Sequence, residues 1–290
     1  MTNASPLEVF ISDRFNAQIR DMHPAGGGCI NQAFKVSLSD GRFLFLKKNR
    51  IGLLDMFEKE ARGLELLRQH GSEVVVPKVE GVIADPAAHE ALLILSFVEE
   101  GRPSGSFHDD FGAALADLHQ TVSSRYGLDE DNYIGKLPQN NEWKEDWISF
   151  FIENRIMPQW EMARNSGFFQ KKDQEALDRF FTRISDLFPD EPASLLHGDL
   201  WGGNYLCNTQ NKPVLIDPAV YYGHREIELA FTTLFGGFSS GFYDAYQSAW
   251  PLQPGFNKRT DLYNLYPLLV HVNLFGGSYA GQVSSILRPF

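Results

Sequence analysis

The sequence predicts an α+β protein of two lobes, an antiparallel sheet followed by a mainly helical part. Three observations carry that prediction. Between residues 33 and 97, short apolar stretches recur around turn residues, as hairpin strands do. From residue 108 onward the apolar residues recur every three or four positions, as on amphipathic helices. Between these two runs lies Glu99-Glu100-Gly101-Arg102-Pro103, which reads as a linker. The lobes are therefore expected to span 1–98 and 99–290, and the chain is long enough for each to have its own core.

The first lobe opens with a predicted helix over 5–20, where Leu7, Ile11, Phe15 and Ile19 recur every four residues. Gly26-Gly27-Gly28-Cys29 follows. Three glycines permit close backbone approach to phosphate oxygens, and they equally permit a plain flexible turn. Strands are expected over 33–38 and 42–47, joined across Ser39-Asp40-Gly41. If Phe43 and Phe45 face inward, Lys47 does too, and Lys48 faces away. A helix over 54–70 has the stripe Phe57, Ala61, Leu64 and Leu67, with Glu60 on its edge. Lys47 and Glu60 are either solvated surface charges or an inward ion pair that aims the lysine at phosphates. Strands over 79–84 and 91–97 complete the lobe. The sequence allows the backbone of Ser96, Phe97 and Val98 to hydrogen-bond the edge of an adenine base.

In the second lobe, helices are expected over 108–121, 142–164 (kinked or split at Pro158) and 173–188. Further helices follow near 241–250, 258–275 and 278–288, and the segment 221–226 reads as a polar loop entering a helix.

Charge narrows the function classes. The net charge of −11 disfavours nucleic acid and anionic membrane surfaces as partners, although local lysine and a metal ion can still hold a nucleotide. Two cysteines, Cys29 and Cys207, make no disulfide framework and suit a reducing compartment. Residues 262–287 carry no charged residue but contain Asn264, Pro267, His271 and Asn273, which suits buried helices rather than a membrane span. A cytoplasmic protein, monomeric or weakly dimeric, is expected.

The chemistry is concentrated in residues 197–217. His197, Asp199 and Asn204 form H-x-D-x-x-x-x-N, and Asp217 ends the following Pro213–Ile216 stretch. Pairing Asn204–Cys207 with Pro213–Ile216 brings Asn204 and Asp217 to the same end of a hairpin, beside Asp199. Phosphoryl transfer needs such a set: a carboxylate to accept a hydroxyl proton, and an amide and a carboxylate to hold Mg²⁺. A metal site without catalysis is the alternative.

These segments also carry a resemblance. Gly26–Asn31, Phe45–Asn49, His197–Asn204, Ile216–Ala219, Gly223–Ala230, Leu234–Phe238 and Phe275–Gly277 occur in an order that resembles the fructosamine kinase (ketosamine 3-kinase) family. That family is a branch of the aminoglycoside-phosphotransferase-like group, with a protein-kinase-like fold. The resemblance implies ATP-dependent phosphorylation of the 3-hydroxyl of ketosamines (fructosamine, ribulosamine or erythrulosamine adducts), which destabilises the adduct and repairs the amine. It implies Asp199 as catalytic base, Asn204 and Asp217 as Mg²⁺ ligands, and Lys47 as the phosphate-binding lysine oriented by Glu60. Gly26, Gly27 and Gly28 would form the loop over the phosphates of ATP, and His197 would support the catalytic loop. Trp201 either walls the sugar pocket or packs in the core. Arg225 and Glu226 either contact substrate or cap the helix that follows. Asp217 is followed by Pro218-Ala219, and no Ala-Pro-Glu segment occurs, so constitutive activity is expected. Cys29 is a reactive thiol in the glycine loop or an inert one. The alternatives are a small-molecule kinase acting on aminoglycosides or choline, and a non-catalytic nucleotide-binding protein of the same fold.

Overall fold

The computed structural model describes residues 4–26, 31–71 and 73–290. The chain runs through α1 (Pro6–Phe15), β1 (Ile19–Pro24), β2 (Gln32–Leu38), β3 (Phe43–Arg50), α2 (Leu54–His70), β4 (Val79–Asp85) and β5 (Glu90–Ser96). These strands form one antiparallel sheet in the order β1-β2-β3-β5-β4. The second lobe contains α3 (Phe107–His119), β6 (Val122–Ser123), β7 (Asn132–Ile134), β8 (Leu137–Gln139), α4 (Trp147–Phe150), α5 (Met157–Asn165) and α6 (Lys171–Phe181). It continues through β9 (Ala193–Leu196), β10 (Tyr205–Cys207), β11 (Pro213–Leu215), β12 (Tyr221–His224), α7 (Arg225–Leu234), α8 (Ser240–Ala249), α9 (Phe256–Tyr263), α10 (Leu265–Phe275) and α11 (Ala280–Leu287). The architecture is the two-lobed α+β arrangement expected.

Several boundaries depart from the sequence reading. The first helix ends at Phe15, because Asn16 takes a left-handed φ of 51° and closes it, and Ile19 starts an edge strand instead. Most of that strand is exposed, so it carries no apolar alternation to announce it. The long helix expected from 142 begins only at Trp147, where Asp146 caps it by accepting from the Ser149 N–H at 2.8 Å. A wide π-helical stretch, Phe151–Ile156, then leads directly into α5, and Pro158 is the second residue of that helix. The expected helix over 258–275 breaks at Asn264 into α9 and α10. Residues 221–224, expected as loop, form a strand paired with β9 from Tyr221↔Leu196 to His224↔Ala193.

The sheet is buried on both faces at its centre, which explains the continuous apolar run of β5. Leu44, Leu46, Leu92 and Ile94 pack under α1 with Ile11. On the other face, Leu93 and Leu95 join Phe57 and Leu64 of α2, and this cluster continues into Phe111, Leu115, Leu195, Leu215, Leu229 and Phe242 of the second lobe. Each lobe thus has a core of its own, the second lobe around Phe150, Trp160 and Tyr263, and a third cluster runs across the junction. Backbone hydrogen bonds stitch the junction: the Val75 N–H donates to Pro213 at 2.8 Å, and the Leu215 N–H donates to Val75 at 2.9 Å. Among the described residues no helix is long and apolar enough to cross a membrane.

Candidate active site

The catalytic loop is built by what enters and leaves it. The fully buried strand β9 delivers His197, and β12 runs back alongside it. Gly198 lies between them with φ +83°, and a Cβ there would sit 2.0 Å from the Ala219 carbonyl oxygen, so only glycine fits. His197 is fully buried. Its Nε2–H donates to the Ile216 carbonyl at 2.8 Å, and its Nδ1 accepts from the Asp199 N–H at 3.2 Å. Burial lowers its pKa, so the ring is a neutral strut between two halves of the loop and not a proton carrier.

One residue that the sequence reading passed over holds this loop from beneath. The buried Glu228 carboxylate of α7 accepts from the N–H groups of His197 at 3.0 Å and Gly198 at 2.6 Å. It also accepts from His119 Nε2–H at 2.9 Å, while His119 Nδ1 accepts from the Tyr246 hydroxyl at 2.8 Å. Burial alone would raise the pKa of Glu228, yet the hydrogen bond from His119, with His197 and the Gly198 N–H, holds it below the usual value. The available signal was a second acid, two residues after Glu226, within the apolar run Ile227, Leu229, Ala230.

Asp199 sits on that base. Asn204 donates from Nδ2 to the Asp199 carbonyl at 2.8 Å and to its carboxylate at 3.0 Å. The β10–β11 hairpin pairs Tyr205 with Leu215, and the Ile216 N–H donates to Asn204 at 3.1 Å, which brings Asp217 beside Asn204. Asp217 adopts a left-handed φ of 56°, a strained conformation for a non-glycine residue. Its carboxylate meets Lys47 Nζ at 2.5 Å, and the same ammonium meets Glu60 at 2.6 Å. Burial pulls the Lys47 pKa down, but Glu60 and Asp217 outweigh it, so the ammonium is held firmly charged. Burial also raises Glu60, against the pull of Lys47. Helix α2 is fixed from its far side. The Tyr133 hydroxyl donates to Asp55 at 2.8 Å, Lys59 pairs with Glu130 at 2.7 Å, and Arg62 meets the same carboxylate.

The family profile described as fructosamine kinase matches residues 6–290. The chain belongs to the fructosamine kinase family. A probable ketoamine kinase of Lactiplantibacillus plantarum is 38% identical over 275 residues, covering 94% of this chain and 95% of that protein. The ketosamine-3-kinase of Mus musculus is 36% identical over 296 residues, covering 91% and 93%. A solved Thermobifida fusca protein, assigned as a fructosamine-3-kinase, superposes with a TM-score of 0.85 at 31% identity, covering 99% and 98%. A spectinomycin phosphotransferase shares the fold alone, with a TM-score of 0.62 at 13% identity over 100% and 95%. This fructosamine kinase family member is accordingly a phosphotransferase with the protein-kinase-like fold, and kinases of this family use ATP.

In this kinase the remaining expected residues fall out differently. Gly26 closes the first described stretch, whereas Gly27, Gly28 and Cys29 lie outside the described residues. Ser96 is not available to an adenine edge through its N–H, which donates to the Lys78 carbonyl at 2.8 Å as β5 ends. Phe97 and Val98 follow the strand. Trp201 is not core: it is 40% exposed. Arg225 and Glu226 make no substrate surface. Both are buried, Arg225 in a two-pronged pair with Glu191 (2.7 and 2.9 Å) and Glu226 in one with Arg259 (2.7 and 2.6 Å). His224 caps α7 instead, accepting from the Glu226 N–H at 3.2 Å.

The space in front of Asp199 is lined by Tyr221, Phe231, Tyr266 and His271. His271, also passed over, donates from Nδ1 to the Pro267 carbonyl at 2.7 Å, and burial lowers its pKa. Its Nε2 is therefore an acceptor, suited to a substrate hydroxyl. For Mg²⁺ the donors fit. The Asn204 nitrogen is committed to Asp199, so its amide oxygen and the Asp217 carboxylate are the groups that would hold the ion. Burial, then the Asp217 charge, raises the Asp199 pKa well above its ordinary value.

Proposed function

We propose that this protein transfers the γ-phosphate of ATP to the 3-hydroxyl of a ketosamine, the adduct that a reducing sugar leaves on an amine. One observation carries the reading. Lys47–Asp217 and Asp199–Asn204 meet at a single loop, in a chain that aligns almost end to end with proteins named ketoamine kinase and ketosamine-3-kinase.

The residues divide the work as follows. Lys47, steadied by Glu60, presents its ammonium to phosphate oxygens. Asp199 takes the proton of the sugar 3-hydroxyl while that oxygen bonds to the γ-phosphorus and the bond to the ADP oxygen breaks. Glu228 keeps the loop under Asp199 from shifting. His271 Nε2 accepts from a second sugar hydroxyl and fixes the ring. Asn204 and Asp217 would hold Mg²⁺, which when bound neutralises charge on the transferring phosphoryl group. Phosphate at C3 leaves more readily than hydroxide. Loss of a C1 proton then gives the 1,2-enaminol, which expels phosphate from C3, and hydrolysis frees the amine. The role is deglycation, and the two-cysteine composition suits a reducing cytoplasm.

The test is ATP consumption across the fructosamine, ribulosamine and erythrulosamine adducts of lysine, with an aminoglycoside and choline as controls. The expected result is ADP release with at least one ketosamine and none with the controls. Robust turnover of a control with no ketosamine turned over would overturn the reading.

A further inference from the structure

Three segments converge at the outer end of the first-lobe sheet, on the face that carries Lys47. Facing residues of β2 and β3 are Ala33↔Lys47, Lys35↔Phe45 and Ser37↔Phe43, so Lys35, Phe43, Phe45 and Lys47 share that face. Phe45 in turn faces Leu95 of β5, two residues before Phe97. The Lys35 ammonium lies 4.2 Å from the centre of the Phe43 ring and 4.2 Å from that of Phe97, and the two rings are 6.1 Å apart. The lysine is held between two aromatic jaws, and among the described residues it has no ion pair. Phe43 is 46% exposed, and neither ring belongs to a core cluster, so core packing does not account for them.

The place of this clamp gives it a consequence. Strand β5 is pinned through its last residue: the Ser96 N–H donates to the Lys78 carbonyl at 2.8 Å, and the Lys78 N–H donates to the Ser96 hydroxyl at 2.9 Å. Phe97 is the first residue beyond the strand, where ladder hydrogen bonds end. The cation–π contact of its ring then ties the departing chain to β2 and β3. Along β3, Phe45 lies about 7 Å and Phe43 about 13 Å from Lys47. A nucleotide with its phosphates at Lys47, laid along this face, brings its base to the Phe97 end. A purine edge meets a backbone through N–H and C=O groups, and their direction depends on how the chain is held. We propose that Lys35 is a positioning residue for the nucleotide: clamped by Phe43 and Phe97, it fixes the backbone of Phe97 and Val98 against the purine base of ATP. This rests on the reading of the chain as an ATP-dependent kinase and goes beyond it, because it gives a residue outside the phosphate and acceptor sites a part in base affinity.

The experiment is calorimetric titration of the full chain, with Mg²⁺ and no acceptor, using two ligands. One is the β,γ-imido analogue of ATP, and the other is tripolyphosphate, which has no base. Lys35→Met keeps an apolar stem and removes the cation. It is expected to weaken the ATP analogue about fivefold and to change tripolyphosphate by less than about twofold. Lys35→Arg restores a cation between the rings and is expected to recover most of the loss. Phe43→Leu removes one jaw and should weaken the analogue in the same selective way. Unchanged affinity for the analogue in both Lys35→Met and Phe43→Leu would overturn the clamp. So would an equal loss for both ligands, which would make Lys35 a general charge on the phosphates, or no recovery with Lys35→Arg. No acceptor is present, so a failed ketosamine assay leaves these outcomes unaffected. A wild type that binds neither ligand would overturn the clamp together with the kinase reading.

Discussion

Asp199 stands between two opposed demands. Burial and the Asp217 charge favour its protonated form, whereas a base must be ionised. A cation held by Asn204 and Asp217 would offset that pressure. Asp199→Asn keeps the shape and removes the base, so kcat should fall by about 10²–10⁴-fold while the Kd for Mg·ATP changes by less than about threefold. Steady-state ADP release and calorimetric titration read the two separately, and a variant with near-normal turnover would exclude Asp199 as base. Glu228 acts through the loop and not on the substrate. Glu228→Gln should lower kcat about 10–100-fold with little change in the KM for ATP, because one amide cannot accept from His197, Gly198 and His119 together. A loss confined to Tm, with kcat preserved, would make it purely structural. The sequence made Asp199, Asn204, Asp217, Lys47 and Glu60 legible because chemistry fixes their types and hairpin or strand geometry fixes their spacing. Glu228, His119 and His271 stayed hidden because a buried polar side chain on a helix looks, in sequence, like a solvated one. Glu228 and His119 are also 109 residues apart.

At the scale of elements, α2 and α7 do the positioning, each through a different device. Helix α2 holds Glu60 against Lys47 and is fastened to the second lobe through Asp55–Tyr133 and Lys59–Glu130. Helix α7 depends on its cap. His224 is fully buried, with its Nε2–H on the Pro189 carbonyl at 3.2 Å, and burial pushes its pKa down to about 3. Between its ordinary value near 6.5 and that folded value, the unfolded chain binds a proton that the native protein refuses. The contribution of His224 is therefore full above about pH 6.5 and falls by about 1.4 kcal/mol for each pH unit below it, down to about pH 3, and the buried His197 and His271, whose pKa values are also lowered, add to the loss in the same direction. Chemical denaturation between pH 7.5 and 5 should show a slope at least this steep, and His224→Asn should reduce it. An identical slope in the variant would assign the acid loss elsewhere. Helix α2 was legible to the residue, since a strong apolar stripe marks it. The edge strand β1 was not, because five of its six residues are exposed, and β12 was not, because Tyr-Tyr-Gly-His reads as loop until β9 is there to pair with it.

The whole molecule joins its lobes through a shared cluster, from Phe57 and Leu95 to Phe111 and Phe242, and that junction ties the phosphate lysine to the catalytic loop. Chain length made a core in each lobe legible, but not the cluster that runs between them, because composition carries no information about which apolar faces meet. We place the lobe boundary at residues 98 and 99, where β5 has ended and the chain starts to pair with the catalytic hairpin through Glu100 and Asn208. The account's central claim is that this assembly phosphorylates a ketosamine at O3, with Asp199 as base. The most direct measurement is phosphorus–proton correlation NMR on the product of wild-type enzyme, Mg·ATP and the fructosyl, ribulosyl or erythrulosyl adduct of lysine that it turns over. The account predicts one phosphomonoester whose phosphorus couples to the proton on C3, and no such signal with Asp199→Asn. A phosphate on any other carbon, or ADP release with no sugar phosphate formed, would contradict it.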